Sequence, residues 1–237
     1  MPLAASNARV LAPWQPGLWR WREPGLRGAV AGVADRSMDH LAVARLLAPR
    51  RGFVQAQQVH GASIACLLGA SGAEETTISG CDALVTATPG MALVIRTADC
   101  LPIIMWDPVR RVAGVLHAGW RGLEKCLPMR AVALMTQAFG SRTGELWSAI
   151  GPAIRSCCYE VGPEFESRFP AFVSIRDGRR RCDLIACATD QLRQAGLPAR
   201  RSVDSGWCTA CDTSRWCSVR KEGDATGRLL SFVMIPA

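Results

Sequence analysis

The chain has 237 residues with 49% hydrophobic side chains, enough for a substantial core, and no apolar run approaches the roughly 20 residues that cross a membrane. Its net charge is +8, but only two of the 28 basic residues are lysines, the arginines are scattered and there is a single tyrosine, a pattern that disfavours nucleic-acid binding and favours small anionic substrates such as phosphate. The first nine residues lack the basic and apolar segments of a secretory signal, so we expect a cytoplasmic protein without a membrane or nucleic-acid partner, whose eleven cysteines are mostly reduced.

Apolar and turn-forming residues alternate along the chain in segments typical of an α+β fold. Residues 1–30 favour short strands and turns, and a short helix is predicted over 39–47. The further predicted strands cover 53–58, 63–68, 83–86, 92–97, 146–150 and 229–235, together with the two arms of a hairpin near residue 108. The further predicted helices cover about 11 residues between Pro128 and Gly140, then 164–169 and 183–195. No linker divides these segments, so we expect a single domain over 1–237 with mixed sheets and few helices.

The hairpin carries the first candidate site. Apolar runs at 103–106 and 112–116 flank a turn segment at 107–110. If the turn is centred between its two middle residues, cross-strand partners have numbers that sum to 217, which places Cys100 directly opposite His117. Directly opposite Cβ atoms lie roughly 5 Å apart, so the thiol and the imidazole would share one metal ion or one proton.

His60 is the candidate for a third ligand. It stands at a strand end before Gly61, whereas His40 begins a predicted surface helix and is expected to be solvated. Together, His60, Cys100 and His117 offer two imidazoles and one thiolate, a set that suits zinc, and three protein ligands with a fourth position open are typical of catalytic zinc. The same residues also allow a metal-free pair of Cys100 and His117, with the thiol as nucleophile, or ordinary packed and hydrogen-bonded side chains.

Two cysteine pairs and one loop are weaker candidates. Cys208 and Cys211 form a Cys-x-x-Cys pair that would bind zinc or exchange thiols, but a second pair at zinc-ribbon spacing is missing. Cys157 and Cys158 are adjacent, and on a strand their side chains would point to opposite faces, which disfavours joint ligation. Arg121, in the connection after the hairpin, is a candidate for binding phosphate or an oxyanion.

Eight short segments resemble the sequence blocks of one known family. They are Gln-Val-His-Gly at 58–61, Asp-Ala-Leu-Val-Thr at 82–86, Thr-Ala-Asp-Cys-Leu-Pro at 97–102, His-Ala-Gly-Trp-Arg-Gly at 117–122, Ile-Gly-Pro-Ala-Ile at 150–154, Cys-Tyr-Glu-Val-Gly at 158–162, Cys-Thr at 208–209 and Gly-Arg at 227–228. From about residue 55 onward the chain is therefore similar to the multicopper polyphenol oxidase (laccase) family. That family is also called the peptidoglycan editing factor family, and members are described as purine nucleoside phosphorylases with adenosine deaminase activity.

The resemblance implies a layered α/β/β/α fold with helices outside two mixed sheets, and one zinc held by His60, Cys100 and His117. Two segments depart from the family pattern: the N-terminal block is not recognisable within 25–50, and 218–221 read Ser-Val-Arg-Lys. Both would line the substrate cleft, so they bear on the choice of substrate. Three histidines without a His-x-His pair are too few for a blue-copper site and a trinuclear cluster, so we expect no laccase activity.

The resemblance favours a zinc-dependent purine nucleoside phosphorylase that acts on adenosine, inosine or methylthioadenosine with inorganic phosphate, with adenosine deaminase activity in addition. Arg121 is predicted to bind phosphate. Asp99, Glu160 and Gln58 are candidates for proton transfer or orientation of the substrate.

Two other hypotheses stay open at this point. In a cysteine hydrolase or amidase that edits peptidoglycan precursors, Cys100 would be the nucleophile and His117 its base. In a non-catalytic binding protein, the zinc would be structural and a fourth protein ligand would complete its coordination.

Overall fold

Two β-sheets packed face to face form the body of the protein, and the computed structural model describes residues 10–38, 43, 53–69 and 75–237. In spatial order the seven-stranded sheet contains β1 (Leu11–Gln15), β2 (Leu18–Trp21), β3 (Val30–Ala34), β15 (Leu229–Met234), β8 (Ala92–Thr97), β4 (Phe53–Gln57) and β6 (Thr76–Ser79). The six-stranded sheet contains β14 (Ser202–Asp204), β11 (Trp147–Ile150), β9 (Leu101–Asp107), β10 (Val112–Ala118), β7 (Ala83–Thr86) and β5 (Ile64–Leu67). Both sheets are mixed, because β4 runs parallel to β6 and β8, and β5 runs parallel to β7.

Short helices and one small hairpin complete the described part. The helices are α1 (Trp120–Glu124), α2 (Leu127–Phe139), α3 (Glu164–Arg168), α4 (Leu184–Gln194) and α5 (Val219–Glu222), with 3-10 turns at Pro24–Leu26, Thr143–Glu145 and Ala199–Arg201. Strands β12 (Val173–Arg176) and β13 (Arg179–Cys182) form a separate two-stranded sheet. Among the described residues, no helix is both long and apolar enough to cross a membrane.

The alternation of side chains along β9 and β10 explains the layering. Ile104 and Trp106 point into the core between the sheets, whereas Ile103 and Met105 point into a second core beneath α2 and α4. Every residue of both strands is buried, as expected for the centre of a sheet covered on both faces. On the outer face of the seven-stranded sheet a third cluster includes Val43. These layers confirm the predicted α+β fold.

Local signals place most helix ends correctly. Pro128 stands in the first turn of α2, and Gly140, with φ +67°, closes the helix through its backbone N–H. The side chain of Asp183 caps α4 by accepting a hydrogen bond from the N–H of Ala186. Of the predicted helix over 39–47 only Val43 belongs to the described residues, so the rest of that prediction lies outside them.

The predicted register of the central hairpin is wrong by two residues. His117 pairs with Pro102, and the partner numbers along the ladder sum to 219 rather than 217. The connection is a four-residue loop, because the carboxylate of Asp107 accepts bonds from the N–H groups of Val109 and Arg110, and Arg111 adopts φ 53°. Cys100 therefore lies just outside the ladder rather than opposite His117.

Candidate functional site

A cleft of about 990 Å³ opens where β4, β8 and β10 end. Six of the seven predicted site residues line it, and Glu160 does not; the six are Gln58, His60, Asp99, Cys100, His117 and Arg121. Along β10, Ala113 and Val115 point between the sheets, and His117 is the next residue on the same face of the strand. The strand thus delivers its imidazole to the point where the core between the sheets opens into the cleft.

The three predicted metal ligands meet in this cleft. Ligand atoms of His60, Cys100 and His117 all lie within 4.8 Å of one another, and the two imidazole rings meet edge to face with centroids 4.8 Å apart. His60 adopts φ 57° and Asp99, directly before Cys100, adopts φ 86°. Such left-handed backbone is rare for residues other than glycine and is often found at functional sites. The trio therefore forms despite the shifted hairpin register, because corners of the chain rather than a cross-strand pair aim the side chains.

Gly119 keeps space beside the thiol. A Cβ at this position would lie 3.1 Å from Sγ of Cys100 and 3.5 Å from Cδ2 of His60. Its φ of −74° is ordinary for any residue, so the glycine serves close approach rather than an unusual backbone conformation.

Asp82 organises the trio, and its role is not anticipated by the sequence analysis. Its fully buried carboxylate lies 2.8 Å from Nδ1 of His117 and accepts the backbone N–H groups of His60 at 2.9 Å and Gly61 at 2.6 Å. Burial raises the pKa of this carboxyl, but the hydrogen bonds from His117 and Gly61 outweigh burial and lower it. A carboxylate on Nδ1 leaves Nε2 of His117 free to bind a metal, as in many zinc sites. An aspartate that directly precedes a buried strand was the available signal, because such a carboxylate needs partners.

Burial and hydrogen bonds act in opposite directions on the thiol and the imidazole. Burial raises the pKa of Cys100, but hydrogen bonds from His117 and His60 outweigh it and lower the pKa to about 6. Burial lowers the pKa of His117, but hydrogen bonds to Asp82 and Cys100 raise it to about 9. The site therefore stabilises a thiolate, the form of cysteine that binds metals and attacks electrophiles. Two imidazole nitrogens and one thiolate are donors that suit zinc.

Four arginines make the wall of the cleft basic. They are Arg96, Arg121, Arg220 and Arg228. The guanidinium of Arg121 stacks on the ring of Trp120 at 4.4 Å, and within the described residues it forms neither an ion pair nor a hydrogen bond. Its donors are thus available to an anion such as phosphate.

The other predicted site residues are engaged in different ways. Asp99 accepts Thr209 Oγ1 at 2.6 Å on one oxygen and the N–H of Arg220 at 2.7 Å on the other. The side-chain amide of Gln58 pairs with both backbone groups of Arg96 at the end of β8. Glu160 is exposed, lies 3.1 Å from a guanidinium nitrogen of Arg179, and lines a neighbouring depression rather than the cleft.

The divergent late segment also reaches the cleft. Val219 and Arg220 line it, whereas Cys217, the residue directly before this segment, is buried in the core between the sheets. A guanidinium nitrogen of Arg220 donates to the carbonyl of Glu160 at 2.6 Å. The late departure from the family pattern therefore lies at this cleft, whereas none of the described residues within 25–50 lines it.

The expectation that Cys157 and Cys158 point apart is wrong. They lie in a turn rather than a strand, and their sulfurs approach that of Cys211 to 3.6 Å and 3.3 Å. With Cys208 they form a second group whose ligand atoms all lie within 4.8 Å. The pairing of the two loops, which sequence spacing does not show, supplies the second thiol pair missing from the zinc-ribbon pattern.

The fold and the site define a two-sheet α+β protein with a three-residue group able to hold a metal in a basic cleft. The chain belongs to the family described as multi-copper polyphenol oxidoreductase laccase, whose model matches residues 25–236. This match confirms the resemblance and includes residues 25–54, in which the family's sequence blocks are not recognisable.

Named relatives agree with this assignment. Adenosine deaminase RL5, from an unknown prokaryotic organism, is 32% identical over 169 residues, which are 68% of this chain and 64% of that protein. A purine nucleoside phosphorylase of Deinococcus radiodurans is 34% identical over 191 residues, 78% of this chain and 70% of the relative. The crystal structure of YlmD from Geobacillus stearothermophilus superposes with a TM-score of 0.87 at 27% identity and covers 97% of this chain and 100% of that one.

Proposed function

We propose that this protein is a zinc-dependent purine nucleoside phosphorylase. The observation that carries the proposal is the trio of His60, Cys100 and His117 beside an arginine-lined wall in one cleft. Related proteins of similar sequence are named purine nucleoside phosphorylases, and adenosine, inosine and methylthioadenosine are the substrates we expect.

In the proposed reaction an oxygen of phosphate forms a bond to C1′ of the nucleoside while the bond from C1′ to the purine nitrogen breaks. The bonding electron pair leaves with the purine, which takes up a proton, and the products are the free base and the 1-phosphate of the nucleoside's sugar. Because C1′ acquires oxocarbenium character, the protein has to position the phosphate and stabilise the leaving base. We assign phosphate binding to Arg121, supported by Arg96 on the same wall.

The trio would hold the zinc through the sulfur of Cys100 and one nitrogen of each imidazole. When bound, zinc supplies Lewis-acid chemistry that stabilises developing negative charge and activates water. Asp82 fixes the tautomer and the orientation of His117. Asp99, with both carboxylate oxygens already bonded, acts as a positioning residue that holds the corner before Cys100.

The base fits the less polar part of the cleft, where Trp120, Ile154 and Tyr159 contribute apolar surface. Deamination of adenosine at C6 is a second activity of the same site in this proposal. It is supported by the 32% identity with a protein named adenosine deaminase.

The test measures adenine release from adenosine with and without inorganic phosphate, together with zinc content. In Cys100→Ala we expect release to fall by about 100-fold or more, because several kcal/mol of charge stabilisation depend on the metal. Cys66→Ala is the control, because Cys66 stands on β5 and belongs to neither thiol group. Full phosphate-dependent release by Cys100→Ala would exclude the proposed site.

One observation favours a second candidate, a cysteine hydrolase or amidase. Cys100, His117 and Asp82 form a thiol–imidazole–carboxylate series, and the pKa of the thiol is lowered to about 6. This hydrolase would need no phosphate, would survive chelators, and would tolerate His60→Ala. The proposed phosphorylase would instead need phosphate, would be inactivated by chelators and would lose activity in His60→Ala. Assays of the same protein preparations therefore distinguish the two functions.

A further inference from the structure

Four cysteines outside the catalytic cleft converge on one point. Cys157 and Cys158 come from the turn after β11, and Cys208 and Cys211 come from the loop after β14. Their sulfurs all lie within 4.8 Å of one another. All eleven cysteines of the chain are free thiols in the structure.

The spacing of these sulfurs matches the edge of a metal tetrahedron. Zinc bonded to four thiolates at about 2.3 Å holds its sulfurs about 3.8 Å apart. The three distances between the sulfurs of Cys157, Cys158 and Cys211 are 3.8, 3.6 and 3.3 Å. Only small adjustments of side chains separate this arrangement from a tetrathiolate site.

Other fates of the cluster fit less well. A disulfide needs sulfurs about 2.05 Å apart and would use two of the four thiols while leaving the other two unexplained. In a four-iron cluster each thiolate binds a different iron, which spreads the sulfurs wider than the edges of a mononuclear tetrahedron. Soft thiolate donors in tetrahedral geometry are typical of zinc.

The surroundings suit the charge of such a site. Zinc with four thiolates carries a net charge of −2, which nearby cations would offset. A small pocket of about 210 Å³ contains Cys157 and Cys158 together with the basic side chains Arg179, Arg181, Arg220 and Lys221. In addition, Arg181 donates to the carbonyl of Cys157 at 2.8 Å.

We propose that Cys157, Cys158, Cys208 and Cys211 form a second, structural zinc site. Zinc would replace the thiol protons, which pass to solvent, so that four sulfur–zinc bonds form without any redox change. The inference does not depend on the proposed phosphorylase function, because it concerns residues outside the catalytic cleft.

The site would fasten the loop after β11, which contributes Ile154 and Tyr159 to the cleft wall, to the loop after β14. Ala153 and Cys208 form a β-bridge between these loops, and the N–H of Thr209 donates to the carbonyl of Ala153 at 3.1 Å. The hydroxyl of Thr209 in turn donates to Asp99, the residue directly before Cys100. A metal on the four thiols would therefore stabilise the corner that presents the thiol of Cys100.

The test is the zinc stoichiometry of intact protein by native mass spectrometry and by elemental analysis. We expect two zinc ions per wild-type chain, one in Cys211→Ser, one in Cys100→Ala and none in the double variant. Cys66→Ser should retain two. Equal zinc content in Cys211→Ser and wild type would overturn the second site, whatever the zinc content of Cys100→Ala, and would leave the first site unaffected.

A measurement on Cys100→Ala provides an independent readout that does not require disruption of the four thiols. Replacing its zinc with cobalt should give the strong sulfur-to-cobalt absorption of four thiolates. Weak absorption would refute the tetrathiolate assignment. So would a disulfide, seen as a wild-type mass that is lower by two hydrogens without reductant and returns to the full value after thiol reduction.

Discussion

Substituting Asp82 with asparagine tests how the fold prepares the metal group. One carboxylate oxygen of Asp82 is hydrogen-bonded to Nδ1 of His117 and also accepts the N–H of His60. The other oxygen accepts the N–H of Gly61 at 2.6 Å. If the amide oxygen of Asn keeps the first two bonds, its NH₂ group faces the N–H of Gly61, so a donor meets a donor. The shape of the side chain is unchanged, but its charge and one acceptor are lost.

The expected magnitudes follow from these contacts. Losing a hydrogen bond to a charged acceptor and leaving a buried donor unpaired lowers the free energy of unfolding by about 2–4 kcal/mol. Removing the carboxylate from Nδ1 of His117 weakens zinc binding by about 10- to 100-fold, equivalent to about 1.4–2.8 kcal/mol. Metal affinity is measured by competition with a chromogenic chelator, and stability by urea denaturation of the metal-free protein.

Asp107→Asn is a matched control. Asp107 is also fully buried, but it lies at the end of β9 that is far from Cys100, where one oxygen accepts the N–H groups of the turn. Asn can keep those bonds, so zinc affinity should be unchanged. Unaltered zinc affinity in a folded Asp82→Asn protein would refute the role given to Asp82.

Three further substitutions probe the site and its scaffold. Gly119→Ala should fold but bind zinc at least about tenfold more weakly, because its Cβ would lie 3.1 Å from Sγ of Cys100; chelator competition measures this. Arg121→Gln should raise KM for phosphate by about 10- to 100-fold through loss of a charge-assisted hydrogen bond, measured by phosphate titration of base release. Gly32→Ala should destabilise the protein by about 3 kcal/mol in urea, because its Cβ would lie 2.2 Å from a backbone carbonyl oxygen of β2.

Two variants that are expected to have no effect serve as controls for these substitutions. Arg130→Gln removes an exposed arginine of α2 that does not line the cleft, so KM for phosphate should stay the same. Gly144→Ala places a Cβ where no atom lies within 4 Å, so stability should hardly change. Equal effects of Arg121→Gln and Arg130→Gln would contradict the assignment of phosphate binding.

The sequence predicts the trio for reasons that are largely chemical. Histidine is scarce in this chain, His60 follows a predicted strand, and Cys100 and His117 flank the two apolar runs of the hairpin, so their types and positions restrict the choices. The hairpin register was harder to predict, because the Asx turn at Asp107 and the left-handed Arg111 lengthen the loop beyond what the apolar pattern shows. The three side chains still meet although this register was predicted wrongly, because Cys100 lies outside the ladder.

Long-range partners could not be predicted from periodicity. Asp82 meets His117 across 35 residues of chain, and Cys158 meets Cys211 across 53. The first contact depends on the pairing of β7 with β10, whose ladder continues from Leu116 and Ala83 to these two residues, and the second depends on how the loops after β11 and β14 pack together. A buried carboxylate and adjacent cysteines indicate that partners exist, but only the tertiary structure identifies them.

The most direct test of the central claim is phosphate-dependent adenine release by metal-stripped protein titrated with zinc. The account predicts no release without metal and recovery on adding zinc to wild type, but no recovery in Cys100→Ala. Full phosphate-dependent release by protein shown to contain no metal would contradict the claim that His60, Cys100 and His117 act as a zinc site.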